Sequence, residues 1–329
     1  MPFQQAIRDA LLLSVCVAHG VAETPPVSGE VEAGTEIVHP VDSALMVYVP
    51  AGWFIMGMDK PEAEKLAAKL GYKDYHQIAA EEWFPRRKVW AGGFFIDKYE
   101  VTNERWNRFV RASRFKSADK RRKSPIEKQP GEFGLYPVVR VLWGEAQKYA
   151  NWAGKQLPSE EQWEKAARGT DGRLYPWGNE LPNAERGVFV NLKTLKPTMF
   201  QPVGSKPKGA SPYGCLDMSG NVYEWTRDWH EPYPNNPERD RLLSYMGHEN
   251  GCLRGGSFYH AIHAYGCAKR FGLKPAETYY HIGFRTVWVP PQGYFQSQAY
   301  KEAKGRAKAR KGAIEELRKM ASKMLPRYF

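Results

Sequence analysis

The chain has 329 residues, with 48 Lys and Arg against 36 Asp and Glu for a formal charge of +12. A composition of 42% hydrophobic and 13% aromatic residues supplies a sizeable core and excludes wholesale disorder, while 30 glycines and 24 prolines argue against a helical bundle. Four cysteines with no CxxC pair exclude a disulfide-built scaffold and a zinc ribbon. Residues 1–22 read as an export signal: residues 10–18 are a short apolar run, and Val21-Ala22 before Glu23-Thr24 suits cleavage. That places the mature chain in the periplasm or outside the cell; a short buried helix of a cytoplasmic protein is the alternative. No later apolar run reaches a membrane-spanning length. Residues 23–44 are polar, Pro-bearing and without period, which predicts a linker. Residues 46–57 predict two short strands about a Pro50-Ala51-Gly52 turn, and residues 94–101 a further strand. Thr102-Asn103 caps a helix carrying Trp106, Phe109 and Val110, and residues 145–153 form another along Ala146, Tyr149, Ala150 and Ala153. Ser159 with Gln162 makes a capping box for a third helix through Trp163, Ala166 and Ala167. From 170 to 276 Gly and Pro recur almost every ten residues, which predicts long loops and short strands. Residues 282–289 close the domain as one strand.

The charge is unevenly placed. Residues 301–329 hold ten basic and three acidic residues, so +7 of the +12 sits in the tail and no nucleic-acid fold follows from the basic balance. In that tail Ile314, Leu317, Ala321, Met324 and Leu325 form an apolar stripe at helical spacing. Residues 312–325 therefore predict a helix that docks on a partner, on its own domain or peripherally on anionic lipid, whereas residues 299–311 offer little to bury and predict a solvated stretch.

Five segments, in order, resemble the formylglycine-generating enzyme (sulfatase-modifying factor) domain. They are residues 46–57; FIDKYEVTN at 95–103; a third group with WAGKQLPSE at 152–160, ARG at 167–169 and YPWG at 175–178; DMSGNVYEW at 217–225; and LRGGSF at 253–258 with IGFR at 282–285. The resemblance spans residues 45–290, leaving 291–329 as a basic, partly helical tail. It implies an α+β domain, loop-rich with little regular secondary structure and related to C-type lectin folds. The family includes copper oxidases acting on a sulfatase cysteine, but also sulfoxide-synthase modules and structural components, so the fold does not decide the chemistry.

The oxidase implied by the resemblance holds Cu(I) on two cysteines following the Gly-Gly-Ser segment, where soft thiolates suit the soft ion. Here that stretch reads GGSFYHAIHAYGCAKR from Gly255. His260 stands at the first cysteine position, the second falls near Tyr265, and Cys267 matches a structural cysteine whose usual disulfide partner is Ala167. Copper on two thiolates is therefore not expected. His260, His263 and Cys267 follow an H-x2-H-x3-C spacing that a helix would put on one face, although solvated or hydrogen-bonded loop histidines are the plainer reading. No HExxH, GxSxG or phosphate loop supports a hydrolase or nucleotide function.

The resemblance further implies structural calcium, held by Asn221 and Glu224 with the Val222 carbonyl, oxygen donors of the kind Ca²⁺ takes. A second, weaker match puts calcium at Asn191 and Leu192. Trp225 and Ser257 match residues of the oxidase's substrate groove, to which Arg254, Arg270 and Arg285 would add positive charge; core packing for the Trp and a turn hydrogen bond for the Ser are the alternatives. Cys215 and Cys252 match no family cysteine, so the disulfide state of these and Cys267 stays open. The reading favoured is an exported family member that is not a formylglycine oxidase and serves as a binding or maturation module of a periplasmic assembly, with a protein partner or small-molecule ligand and no nucleic acid. The alternatives are an oxidoreductase working on a small molecule or protein thiol through Ser257, His260 and Cys267, and an authentic formylglycine-generating enzyme.

Overall fold

The structure, a computed structural model, describes residues 31–118, 133–190, 199–246 and 248–324. The export-signal segment, the start of the predicted linker, and Asn191 and Leu192 lie outside the described residues. Three sheets carry the domain. Strands β1 (Glu36–Val38), β2 (Leu45–Val49), β5 (Phe94–Asp97) and β10 (Val287–Trp288) form an antiparallel sheet in the order β1-β2-β5-β10. Strands β3 (Gly52–Met56) and β4 (Arg87–Ala91) make a two-stranded ribbon. Strands β6 (Tyr223–Trp229), β7 (Gly251–Arg254), β8 (Arg270–Leu273) and β9 (Ile282–Phe284) form the third, with β6 and β9 parallel. The helices are α1 (Lys60–Lys69), α2 (Asn103–Ser113), α3 (Trp143–Trp152), α4 (Glu160–Arg168), α5 (Arg239–Met246) and α6 (Gln298–Met324).

Local signals set the helix starts. Thr102 accepts a hydrogen bond from the Arg105 backbone N–H, and Ser159 and Gln162 satisfy each other's backbone N–H groups in a capping box. Each cap relieves one or two orphan donors, worth ~1 kcal/mol. Helix α4 then buries Trp163, Ala166 and Ala167 against Val47, Phe94, Met218 and Cys267.

Three expectations change. The predicted closing strand is two strands: β9 joins β6 in one sheet, while β10 joins β5 in another, and Arg285-Thr286 between them crosses from sheet to sheet. The predicted linker 23–44 is structured from its second half. Glu36–Val38 pairs with β2, and Ile37 is wholly buried because it enters a cluster with Met46, Tyr48 and Phe95. The tail, finally, is one 27-residue helix docked on its own domain. Tyr300 and Ala303 pack against Ile37, Met46 and Tyr48, and Ala307 and Ile314 against Val38, Leu45 and Tyr99. Residues 299–311 are thus packed rather than solvated, since small alanines let the helix lie close to the sheet. Leu317 and Met320 face outward, so only part of the predicted stripe is buried. Arg310 and Arg318 fasten the helix to the carbonyls of Ser43 and Val203 at 3.2 and 2.9 Å.

Candidate functional site

The turn after β7 carries the first residues of interest. Gly255 and Gly256 have positive φ (91° and 72°), and a Cβ on Gly256 would lie 2.5 Å from the Ala264 carbonyl oxygen, so this turn requires glycine. It delivers Ser257, fully buried, with its Oγ 2.7 Å from His260 Nδ1. Burial, aided by nearby His281, Lys269 and His263, pushes the His260 imidazole down to about 4, so it is neutral at physiological pH. His263 is likewise down at about 4 and pairs with the Tyr72 hydroxyl at 2.9 Å. Tyr265, near the second copper-cysteine position, donates its hydroxyl to the His260 carbonyl and accepts from the Val190 N–H.

Around this pair lies a continuous run of aromatic rings. His260 meets Tyr223 and His281 edge-on at 4.8 and 4.9 Å. Tyr259 and Tyr279 lie parallel to the His281 ring at 5.5 and 5.6 Å, and Tyr280 joins Tyr259 to Phe258. Tyr259, Phe271, Tyr279 and Tyr280 are each more than a third exposed. His281 is neutral, pushed by burial to about 4, and its Nδ1 is buried without a hydrogen-bond partner. Tyrosine-rich exposed surface of this kind supplies large rigid contact area at low entropic cost.

Cys267 does not join them. It is buried beside Trp163 and Met218, and burial pushes its thiol up to about 12, which suppresses the reactive thiolate. His263 lies in a 3-10 turn, Ile262–Tyr265, and His260 precedes it, so the two do not share an α-helical face. Among the described residues no three His, Cys, Asp or Glu side chains converge on a point that could hold a metal, so the H-x2-H-x3-C set is not assembled. Cys215, Cys252 and Cys267 are all free and buried. A thiolate pair for copper is missing from this segment, and the neutral imidazole at position 260 is already paired with Ser257; the residues do not fit the oxidase's copper.

The residues matched to a groove belong to the core. Trp225 donates its indole N–H to the Val141 carbonyl at 2.8 Å. Arg254 binds Glu164 and lies over Trp163, Arg270 binds Glu160 at 2.8 Å, and Arg285 holds both oxygens of Glu224 at 2.6 and 2.7 Å. All four side chains are essentially unexposed. A buried guanidinium needs a carboxylate partner, and motif glutamates supply it.

The calcium ligands are committed in the same way. Besides its two bonds to Arg285, Glu224 accepts the Trp163 indole N–H at 2.7 Å. Asn221, at a positive φ of 57°, accepts from the Gln201 backbone N–H and donates to Glu100. Each of these side-chain oxygens already accepts a hydrogen bond from the chain, and Arg285 sets a positive charge beside the carboxylate. The second oxygen of Glu100 is buried without a partner, and burial, with Asp217 and Glu224 nearby, pushes this carboxyl well above the usual range.

A second buried centre lies in what the sequence presents as linker. Asp42 accepts from Arg105, Tyr149 and Lys155 at 2.6–2.8 Å and pairs with His39 at 3.0 Å; Lys155 and Arg105 also bind Asp97 at 2.9 Å. Burial alone would raise the Asp42 carboxyl, but Arg105 and Lys155 overcome it and hold it well below the usual range. The network locks β1, β5, α2 and α3 together.

The comparisons with known proteins agree with this architecture. The sulfatase-modifying factor enzyme 1-like domain matches residues 35–290. The chain belongs to that family. It is 29% identical to the formylglycine-generating enzyme of Mus musculus over 75% of each chain, and 29% identical to the inactive C-alpha-formylglycine-generating enzyme 2 of the same species over 76% of this chain and 87% of that one. It is also 32% identical, over 79% of its own length, to a 41% share of the serine/threonine-protein kinase pkn1 of Chlamydia caviae. Among solved structures, PvdO from Pseudomonas aeruginosa superposes with a TM-score of 0.57 at 24% identity, covering 78% of this chain and 98% of that one, which shows the shared fold. Family membership thus spans active and inactive relatives, and the site's own chemistry must separate them.

Proposed function

We propose that this family member is a recognition module of an exported assembly, binding a segment of a protein partner across the aromatic surface over Ser257 and His260, and that it does not oxidise cysteine on thiolate-bound copper. The observation that carries this reading is the pairing of His260 with Ser257 at 2.7 Å beneath exposed Tyr259 and Tyr280, at the position where the oxidase's first thiolate would stand. The exposed tyrosines offer stacking area to a bound chain. Fully buried Ser257 has no path to attack a substrate, so its hydroxyl orients His260 instead. Export rests on the apolar run at residues 10–18.

The competing oxidoreductase reading draws on the same neutral imidazole, a competent ligand or base at pH 7. Incubating the full chain with copper, oxygen and a cysteine-containing peptide, with mass spectrometry of the peptide, separates the two. The recognition module leaves the peptide mass unchanged. Conversion of the cysteine to an aldehyde, lost in His260→Ala, would establish the oxidoreductase.

A further inference from the structure

The outer face of the β3–β4 ribbon is built unlike any other surface of the domain. Strand alternation sends Phe54, Met56, Val89 and Ala91 inward against Tyr233, and Trp53, Ile55, Lys88 and Trp90 outward. Trp53 and Trp90 are directly opposed in register, 5.5 Å apart edge to face, and 52% and 47% exposed. Lys88 lies 5.4 Å over the Trp53 ring. Two half-exposed tryptophans side by side are costly in water, since each leaves a large apolar face unburied.

The same face runs on into a cleft of about 480 Å³ between α1 and the loop at 171–179. Arg86, two residues before Lys88 and on the same outer side, lines it; the loop closes on the ribbon at Gly172, where a Cβ would touch Ile55 and Arg86 at 3.3 and 3.2 Å. The cleft is polar in a particular way. Glu62 pairs with Arg86 and accepts the Asp59 backbone N–H, and Asp171 pairs with Arg173, whose Nη1 also reaches the Pro176 carbonyl; the Glu62 oxygens and the remaining Arg86 N–H groups retain hydrogen-bonding capacity. Asn179 adds an amide. Lys65 makes no ion pair among the described residues, and Lys69 donates only to the Asn179 carbonyl at 2.7 Å, which leaves two positive charges in excess.

We propose that this surface binds an acidic oligosaccharide. A pyranose ring has an apolar face of axial C–H groups that stacks on indole and an edge of hydroxyls that bonds planar carboxylate, guanidinium and amide groups; uronate-type carboxylates would meet Lys65 and Lys69. From Trp90 to Arg86 the strand covers about 13 Å at ~3.3 Å per residue, room for more than one sugar ring. This site is separate from the aromatic surface over His260 and stands or falls independently of it.

Isothermal titration of the full chain with tetragalacturonate and tetramannuronate tests it. Saturable binding is expected to at least one, weakened tenfold or more in Trp53→Ala/Trp90→Ala, retained in Trp53→Phe/Trp90→Phe, and weakened severalfold in Lys65→Ala/Lys69→Ala. Both tryptophans are surface residues, so an unchanged melting curve in each variant secures the comparison. Absence of binding to either sugar, or binding that survives loss of both tryptophans, overturns the proposal. Binding to phosphatidylglycerol vesicles that depends on Trp53 and Trp90, without sugar binding, would overturn it in favour of a lipid surface.

Discussion

Around Asp42, cations, a tyrosine hydroxyl and an imidazole converge directly on carboxylates; around Tyr259, partly exposed tyrosines cover neutral, largely buried imidazoles. The two regions are the inverse of each other. In the first, the carboxylates and cations pair within the chain and, among the described residues, only Arg105 Nε is left without a partner, so the network can fix structure and has little to offer a ligand. In the second, the rings of Tyr259, Phe271, Tyr279 and Tyr280 stand partly open to solvent. Charged residues in this family's recurrent segments, Asp97, Glu224 and Arg285 among them, belong to the scaffold here, while the surface proposed for binding is carried by uncharged side chains.

That contrast breaks most clearly by removing Asp42. Asp42→Ala leaves Arg105 and Lys155 to share Asp97, one buried positive charge in excess, and is expected to cost about 3–5 kcal/mol, the range for an orphaned buried charge; a denaturant melt that moves by less than 1 kcal/mol would show the network to be dispensable. Glu224→Gln should cost about 3 kcal/mol, because it removes the carboxylate charge that Arg285 pairs with in the core. Because Arg285 occupies the carboxylate, a calcium chelator should leave the melting temperature of the wild type unchanged. A fall on chelation would mean that calcium displaces Arg285 from Glu224.

Truncation after Pro291 removes the burial of Tyr300, Ala303, Ala307 and Ile314, on the order of 3 kcal/mol after the entropy of ordering the helix is counted. Thermal melts of the truncated and full chains measure it directly, and equal stabilities would separate helix α6 from the fold.

The imidazoles sharpen the comparison through pH. His260, His263 and His281 titrate near 4 in the fold and near 6.5 when unfolded. Between those values the unfolded chain binds more protons, so they favour the fold above pH 6.5 and withdraw that support as pH falls towards 4. Melts across this window should show the decline, reduced in His281→Phe. The smallest stability effect is expected at the surface: Tyr259→Ala and Tyr280→Ala should each change it by about 0.5 kcal/mol or less, as exposed substitutions do. A loss above 2 kcal/mol in a melt would recast these rings as core.

Much of the scaffold was legible because its signals are local. The Thr102 and Ser159 caps and the periods of α2, α3 and α4 are written within a few residues of the elements they start. What escaped depended on distant partners. Asp42 sits in a polar, Pro-bearing stretch, and the residues that make it a core group, Arg105, Tyr149 and Lys155, lie 63, 107 and 113 positions away. Residues 282–289 carry one apolar run, and only the competition of β5 and β6 for it splits it at Arg285. Arg254, Arg270 and Arg285 look alike as exposed or buried residues until their glutamates are in place. The tail misled by its poverty: alanines at 303 and 307 signal little hydrophobicity, yet their small size permits close packing on β1. The aromatic surface left a trace in the paired motifs SFYH and YYH, but nothing in the chain order brings positions 257–260 beside 279–281.

The central claim is that His260 serves an aromatic binding surface and not a copper centre. Anaerobic titration of the purified chain with Cu(I) in the presence of a competing chelator measures this most directly. The account predicts that wild type and His260→Ala behave alike, with no copper retained. One equivalent of tightly held copper in the wild type, lost in His260→Ala, would contradict it.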